Sequence, residues 1–158
     1  MSYTFTEIKD CHNADMASII RKNLENAGLN IPGTAYFDKS LDNLSSYYSE
    51  SNRKYFVLLK DNEVVGGVGF APFDLFDNCA EMQKLYLAES VKGQGLGYKM
   101  IDKVEQEIKR VGFSKAYLET HHSLEAAVHL YRKCGYREIE RPVGVVHSTM
   151  DLFFLKEL

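Results

Sequence analysis

The chain has 158 residues, of which 45% are hydrophobic and 26% are charged, and its formal net charge is −3 at pH 7. This length and composition predict one globular domain, residues 1–158, that is large enough to bury a core. The negative charge argues against nucleic acid as a partner, because phosphate backbones select basic surfaces. No apolar run is long enough to span a bilayer, so we expect no membrane partner.

The three cysteines, Cys11, Cys79 and Cys134, are far apart in the sequence. A sparse, odd set of this kind is typical of free thiols in a reducing compartment. The N-terminal residues contain neither the basic nor the apolar region of a signal peptide, so we expect a cytoplasmic protein. No cluster of His, Cys and carboxylate residues has the spacing of a zinc site, so we expect no metal.

Apolar periodicity and turn residues predict strands and helices that alternate along the chain. In chain order they are a strand at 4–10, a helix from residue 10 or 13 to 28, a helix at 40–48, strands at 55–59, 64–70 and 80–87, a long helix after residue 97, a strand at 115–120, a helix at 124–134 and strands at 136–140 and 150–155. This order is typical of a mixed α/β fold with a central sheet. Gly66, Gly67 and Gly69 would weaken the strand at 64–70, unless it bends or another group approaches it closely.

A glycine-rich turn, Lys92-Gly93-Gln94-Gly95-Leu96-Gly97, joins the strand at 80–87 to the long helix. Its glycines permit backbone conformations closed to other residues. Unpaired N–H groups and the positive end of the helix dipole then point outward together, which favours phosphate. No Gly-Lys-Ser/Thr ends the turn, so it is not a P-loop, and Tyr98 replaces the third glycine of a dinucleotide fingerprint. Such a turn can also be only a tight connection.

A second stretch reads Ala127-Val128-x-Leu130-Tyr131-x-Lys133-x-Gly135-Tyr136. Together the two stretches resemble the GNAT superfamily of acyl-CoA-dependent N-acyltransferases, which has an Arg/Gln-x-x-Gly-x-Gly/Ala turn and a later Ala-hydrophobic-x-Leu-Tyr-x-Lys-x-Gly-Phe/Tyr run. The resemblance is specific over 81–136 and topological before it. Lys92 replaces the usual Arg/Gln, which keeps a cation but changes its geometry. Leu124 stands where many members carry an Asn that helps to hold the pantetheine arm.

The resemblance implies the single-domain N-acyltransferase fold, with a mixed sheet of about seven strands flanked by about four helices. It implies transfer of an acetyl group from acetyl-CoA to a primary amine of a small molecule or peptide, by direct transfer in a ternary complex without a metal. Either a monomer or a homodimer is compatible with it. The alternatives are a non-catalytic CoA-binding or sensing module on the same fold, and a protein-interaction domain whose glycine turn is only structural.

The resemblance also implies a set of cofactor-binding residues on the strand and the turn. The backbone of the strand would hold the pantetheine amides, much as a sheet edge accepts an added strand. The implied cofactor-binding residues are Leu85, Tyr86, Leu87, Lys92, Gly93, Gln94, Gly95, Leu96, Gly97 and Tyr98.

Tyr131 matches the family tyrosine that protonates the departing thiolate, and a phenol with a pKa of about 10 holds a proton at neutral pH. Tyr131 also lies on an apolar helical face, so a core aromatic is the alternative. Glu81 is the expected base that deprotonates the amine through water, and Glu119 is the other candidate. Burial on a strand would raise a carboxyl pKa toward a useful value. Each carboxylate can alternatively be a structural hydrogen-bond acceptor.

His121 and His122 look like a metal or acid–base pair, but adjacent strand residues point to opposite faces. We therefore expect surface histidines that do not share a ligand. The acceptor site is expected on three loops, at 30–39, 71–78 and 141–149, and to suit a small or partly apolar amine. The side chains considered there are Tyr36, Phe37, Phe73, Phe76 and His147, with few acidic groups, Asp38, Asp74 and Asp77.

Overall fold

A seven-stranded sheet with the order β1-β2-β3-β4-β5-β7-β6 organises the protein. The computed structural model describes residues 2–145 and 148–158. The strands are β1 (Tyr3–Glu7), β2 (Lys54–Lys60), β3 (Glu63–Pro72), β4 (Cys79–Leu87), β5 (Lys115–Thr120), β6 (Arg137–Ile139) and β7 (Leu152–Glu157). Only the β4–β5 pair is parallel among the described strands, and the others are antiparallel. The predicted mixed α/β fold is confirmed.

Helices cover both faces of the sheet. They are α1 (Asn13–Asn26), α2 (Leu44–Tyr47), α3 (Leu96–Val111) and α4 (Glu125–Lys133), with 3-10 turns at Asp10–His12, Ala35–Phe37, Leu41–Asn43 and Glu89–Val91. Alternate residues of β2 face opposite sides, as the two-residue period of a strand requires. Phe56 and Leu58 belong to the core that includes α3, whereas Tyr55 and Val57 belong to the core that includes α1. None of the described helices is both long and apolar enough to cross a bilayer.

The helix predicted at 40–48 is wrong in its extent. The segment forms a 3-10 turn, Leu41–Asn43, and one α-helical turn, α2. A side chain of α1 binds the free N–H group in the first turn of α2. Asn13 Oδ1 accepts a hydrogen bond from the backbone N–H of Ser45 at 3.0 Å, and Asn13 Nδ2 donates to Ser45 Oγ at 2.8 Å. Leu41 and Leu44 are fully buried, so this short segment still packs on the core.

Smaller differences occur at the ends of the other elements. The first strand ends at Glu7 rather than at residue 10, because the chain turns into the 3-10 segment Asp10–His12. The last strand is Leu152–Glu157 rather than 150–155.

The glycines of β3 are explained by the aromatic ring of Tyr55. A Cβ atom on Gly67 would lie 2.5 Å from Tyr55 Cε1, and one on Gly69 would lie 2.5 Å from Tyr55 Cδ2. The ring therefore packs directly on the bare backbone of the neighbouring strand. Its hydroxyl donates a 2.6 Å hydrogen bond to the backbone carbonyl of Lys84 on β4. Tyr55 thus joins three strands, and the close approach expected at these glycines is present.

We predict that Tyr55→Phe lowers the free energy of unfolding by about 1–3 kcal/mol, because the Lys84 carbonyl loses a buried partner. The control is Tyr3→Phe, which removes an exposed hydroxyl that donates to Gln94 Oε1 at 2.8 Å. Water can replace that bond, so the control should change stability much less. Urea unfolding of both variants measures the difference, and equal stability losses would contradict the role of Tyr55.

Candidate active site

Strands β4 and β5 pair at one end and then separate. Their pairing covers only Cys79–Glu81 on β4 and Lys115–Tyr117 on β5. Beyond Glu81, β4 continues to pair with β3, but its other edge has no strand beside it in the described sheet. A cavity of about 560 Å³ opens along this edge. Backbone groups of β4 are therefore available to a ligand, as strand addition requires.

A bulge at Lys84 marks the point of separation. Gly67 of β3 pairs with Tyr86, whereas Gly69 pairs with Gln83, so β4 has one extra residue over this stretch. Lys84 takes up the extra length with a φ of 53°, a left-handed conformation that is uncommon for a residue with a side chain. Bulges bend a strand and increase its twist. The hydrogen bond from Tyr55 to the Lys84 carbonyl holds this bend in place.

The glycine-rich turn lies at one end of the cavity and begins α3. Gly93 and Gly95 have φ values of 80° and 76°, and a Cβ atom on either would meet no heavy atom within 4 Å. Among residues 2–145 and 148–158, no side chain caps the first turn of α3, so its N–H groups are open to a ligand. Bare backbone, open space and a helix N-terminus are what a phosphate requires. The turn therefore offers a place where a phosphate group could bind.

Gly97 has a different environment from the other two glycines of the turn. It is buried, and a Cβ atom at this position would lie 2.6 Å from Leu130 Cδ2 of α4. Its lack of a side chain allows α3 and α4 to approach each other closely. Replacing Gly97 would thus disturb helix packing as well as the turn.

The expected cofactor-binding residues are brought together around this cavity. Its described lining includes Leu85, Tyr86, Leu87, Lys92, Gly93, Gly95, Leu96, Gly97 and Tyr98. Gln94 is exposed, does not belong to this lining, and accepts a hydrogen bond from the hydroxyl of Tyr3. Leu124, the departure from the family pattern, also lines the cavity.

Asn23 of α1 is a residue of this site that sequence reasoning missed. Its Nδ2 donates to the backbone carbonyl of Leu87 at 2.9 Å, and its Oδ1 accepts a 2.7 Å hydrogen bond from Lys92 Nζ. Lys92 also contacts Glu89 Oε1 at 3.0 Å. Asn23 therefore connects the end of β4 to the cation of the turn. A polar residue between apolar positions of a helix was the available signal.

Tyr131 of α4 is buried and lines the same cavity. Its ring lies beside Tyr136 and Phe154, at centroid distances of 6.1 and 6.3 Å. In the described part of the chain its hydroxyl has no hydrogen-bond partner within the protein. Burial raises the pKa of the Tyr131 phenol well above its usual value, and the nearby Tyr86 adds to this effect. The hydroxyl therefore keeps its proton at neutral pH and is available to a ligand.

Glu81 and Glu119 lie on neighbouring strands but have different partners. Burial raises the pKa of Glu81 to about 7, a hydrogen bond from Gln83 opposes the rise, and the charge of Glu119 adds to it. Glu119 accepts hydrogen bonds from Tyr117 Oη and Ser148 Oγ, both at 2.9 Å. Glu81 is thus poised to exchange a proton near neutral pH, whereas two hydroxyl groups hold Glu119 in place.

Both carboxylates line a second cavity of about 500 Å³. The loops at 30–39 and 141–149 contribute to it, as expected, through residues such as Asp38 and Ser148. His147 lies outside the described residues. With Asp38, Glu81 and Glu119 the cavity carries three carboxyl groups, and Lys84 Nζ lies 3.3 Å from Asp38 Oδ2. Of these carboxyl groups only Asp38 comes from the loops, and the other two are contributed by strands β4 and β5.

The loop at 71–78, which was also expected to contribute to the acceptor site, lies apart from the second cavity. None of its residues belongs to the described lining of the second cavity. Phe73 stacks on the ring of Tyr117 at 3.9 Å, and Phe76 packs edge-on against both rings. These aromatic side chains form a third small core instead. Tyr36 donates a 2.5 Å hydrogen bond to Glu25 and also lies outside the described lining.

The expectation that the side chains of His121 and His122 point to opposite faces is wrong. The strand β5 ends at Thr120, so the alternation of side chains along a strand does not apply to the turn that follows. The two imidazole rings are 4.3 Å apart, and both approach the carboxylate of Asp151.

The fold and both motifs agree with one family of proteins. Residues 19–136 match the model of the acetyltransferase (GNAT) family. The chain belongs to the GNAT acetyltransferase family. It is 32% identical over 149 residues to the uncharacterised N-acetyltransferase YjgM of Escherichia coli. The aligned region covers 92% of this chain and 89% of that protein.

Solved structures agree with the fold. The structure resembles a GNAT-family acetyltransferase from Staphylococcus aureus Mu50, with a TM-score of 0.84, 20% identity and 99% coverage of each chain. It also resembles the PaiA N-acetyltransferase of Thermoplasma acidophilum, solved in complex with coenzyme A, with a TM-score of 0.77, 16% identity and complete coverage of both chains. These likenesses confirm the predicted GNAT fold.

Proposed function

We propose that this protein transfers an acetyl group from acetyl-CoA directly to a primary amine of a small molecule or peptide, with both substrates bound together. One observation carries the proposal. The two cavities share five lining residues at the place where β4 leaves β5: Met82, Lys84, Tyr86, Glu119 and Met150. Two ligands bound in these cavities would meet there, and alignment of two reactants accounts for a large part of a catalysed rate.

The first cavity is assigned to acetyl-CoA, which supplies an activated thioester. The turn at Gly93 and Gly95 would hold its diphosphate through backbone N–H groups. The open edge of Leu85–Leu87 would pair with the pantetheine amides. Lys92 would add a positive charge at the phosphate end, once its contact with Glu89 is exchanged for the ligand. The family supports the choice of a CoA thioester, and the acetyl group is the proposed acyl chain.

Tyr131 is the proposed acid. Its hydroxyl would donate a proton to the departing thiolate sulfur, because burial keeps it protonated and the cavity leaves it open to a ligand. Glu81 is the proposed base. A carboxyl pKa of about 7 allows it to accept the amine proton, directly or through water, at physiological pH. Glu119 is fixed by two hydroxyl donors and is assigned to positioning.

The second cavity is assigned to the amine acceptor. Its carboxyl groups, Asp38, Glu81 and Glu119, would attract an ammonium group before deprotonation. Lys84 offsets part of this charge through its ion pair with Asp38. A cationic small molecule or the amino group of a peptide has the matching charge.

The three free cysteines support a reducing, cytoplasmic location.

A non-catalytic CoA-binding module remains the alternative function. Release of free thiol from acetyl-CoA in the presence of a panel of amines, polyamines, amino acids and peptides distinguishes the two. Turnover with any amine supports the proposal. Tight binding of acetyl-CoA without turnover across the panel would support the alternative.

We predict that acetyl-CoA raises the stability of the protein, by about 2.7 kcal/mol at a hundredfold excess over its dissociation constant. Gly95→Leu should abolish this increase, because a side chain would enter the space assigned to the diphosphate. The matched control is Gly112→Leu at the other end of α3, where φ is 109° and the Cβ space is also open. Both variants place a side chain in a left-handed conformation, so both should lose some stability.

Thermal unfolding with and without acetyl-CoA separates the two effects. The control should keep the ligand-induced rise in melting temperature, and Gly95→Leu should not. A normal rise in Gly95→Leu would contradict the assignment of the diphosphate to this turn.

We predict that Tyr131→Phe lowers kcat roughly ten- to ten-thousandfold with little change in acetyl-CoA affinity, because it removes only the proton donor. Tyr136→Phe is the control for ring packing, since Tyr136 lies in the same aromatic group and its hydroxyl bonds to Glu105 at 2.9 Å. Steady-state kinetics and acetyl-CoA binding measure both effects. An unchanged kcat in Tyr131→Phe would reduce Tyr131 to a core residue.

We predict that kcat of the wild type rises with pH through the pKa of Glu81, near 7, because only the ionised carboxylate accepts a proton. Glu81→Gln should lower kcat at neutral pH and lose this limb, with partial recovery at high pH where the free amine forms unaided. Glu119→Gln should mainly lower the melting temperature, because two hydrogen-bonded hydroxyls lose a charged acceptor. A normal profile for Glu81→Gln beside a folded but slow Glu119→Gln would reverse the assignment.

A further inference from the structure

Two histidines and an aspartate converge beyond the end of β5, in a place that the proposed reaction does not use. His122 Nδ1 is hydrogen-bonded to Asp151 Oδ2, and His121 Nε2 lies 3.8 Å from the same oxygen. One donor atom from each of the three side chains lies within 4.8 Å of the others. His121 is mostly covered, whereas His122 and Asp151 are open to solvent.

We propose that His121, His122 and Asp151 bind a divalent transition-metal ion, for which Zn²⁺ is the natural probe. Imidazole nitrogen and carboxylate oxygen are ligands that Zn²⁺ accepts at about 2.0–2.2 Å. Tetrahedral coordination at this distance separates ligand atoms by about 3.3 Å. The donor atoms are therefore nearly in place, and small side-chain rotations bring them to one ion. Three protein ligands leave a fourth position for water, which makes the ion exchangeable.

Neighbouring groups orient two of the three ligands. The backbone N–H of His122 donates to Asp151 Oδ1 at 2.9 Å, which leaves Oδ2 for the ion. Ser123 Oγ lies 2.8 Å from His121 Nδ1. With a metal on Nε2, the proton of His121 resides on Nδ1 and is donated to this hydroxyl, and the 3.2 Å contact from the Ser123 N–H is given up. Such outer partners fix the tautomer and orientation of a metal-binding histidine.

The ion would join two strand ends beside the first cavity. The N–H of Asp151 donates to the carbonyl of Thr120 at 3.1 Å, so the start of β7 is already tied to the end of β5. Thr120 and Ser123 line the first cavity, and Met150 lines both cavities. Metal binding would therefore stiffen one wall of the proposed acetyl-CoA site. Its direct consequence is a higher melting temperature in the presence of the ion.

Calorimetric titration of the full chain with Zn²⁺ alone tests the site. All proteins carry Cys11→Ser, because Cys11 is an exposed thiol beside His12 and can bind zinc by itself. One ion per chain should bind, and His121→Asn, His122→Asn and Asp151→Asn should each weaken binding by more than tenfold. Ser123→Ala should weaken it roughly tenfold, as removal of an outer partner does. The matched control is His129→Gln, since His129 is an exposed histidine on the nearby α4.

The readout does not depend on catalysis, and melting temperatures without zinc show whether each variant folds. Co²⁺ in place of Zn²⁺ should give the visible absorption of four-coordinate cobalt in the wild type and in His129→Gln. Unchanged zinc affinity in folded His122→Asn or Asp151→Asn would overturn the proposal, as would an affinity of the wild type no greater than that of the three ligand variants.

Discussion

The bulge at Lys84 is the constraint on which the rest of the site depends. The bulge lies beyond Glu81, the last residue of β4 that pairs with β5, and Lys84 lines both cavities. The hydroxyl of Tyr55, two strands away on β2, holds the bend through its hydrogen bond to the Lys84 carbonyl. Tyr55 can reach this carbonyl only because Gly67 and Gly69 leave the strand between them bare. Tyr55, the glycines of β3 and the bulge at Lys84 are far apart in the sequence, but each depends on the others in the folded protein.

Burial shifts the pKa of both proposed catalytic groups in the same direction, but the consequence differs between them. It raises the pKa of both Tyr131 and Glu81, because a charged form is poorly solvated in either place. For the phenol the rise ensures that a proton is always present. For the carboxyl group it moves the exchange of a proton into the physiological range. One physical effect, acting on groups with different ordinary pKa values, would thus suit Tyr131 to the proposed role of acid and Glu81 to that of base.

The sequence was sufficient for the features that depend on local chemistry. The glycines at 93, 95 and 97 and the run around Tyr131 predicted the turn, the helices and the family. It was insufficient wherever distant side chains decide the outcome. The α-helix expected at 40–48 begins only at Leu44, where Asn13 of α1 binds the N–H of Ser45, and Asn23 reaches the turn only in the folded chain. The directions of the His121 and His122 side chains were predicted wrongly, because the sequence did not show that β5 ends at Thr120. The alternation of side chains along a strand stops at that residue.

The contact between Gly97 and Leu130 has a mechanical consequence. It joins the first turn of α3, which is proposed to hold the diphosphate, to α4, one residue before Tyr131. Packed interiors transmit displacements because they contain little free volume. A side chain at position 97 would therefore force α3 and α4 apart. Such a change would alter the turn and the surroundings of Tyr131 together, so the two ends of the proposed acetyl-CoA cavity share one packing constraint.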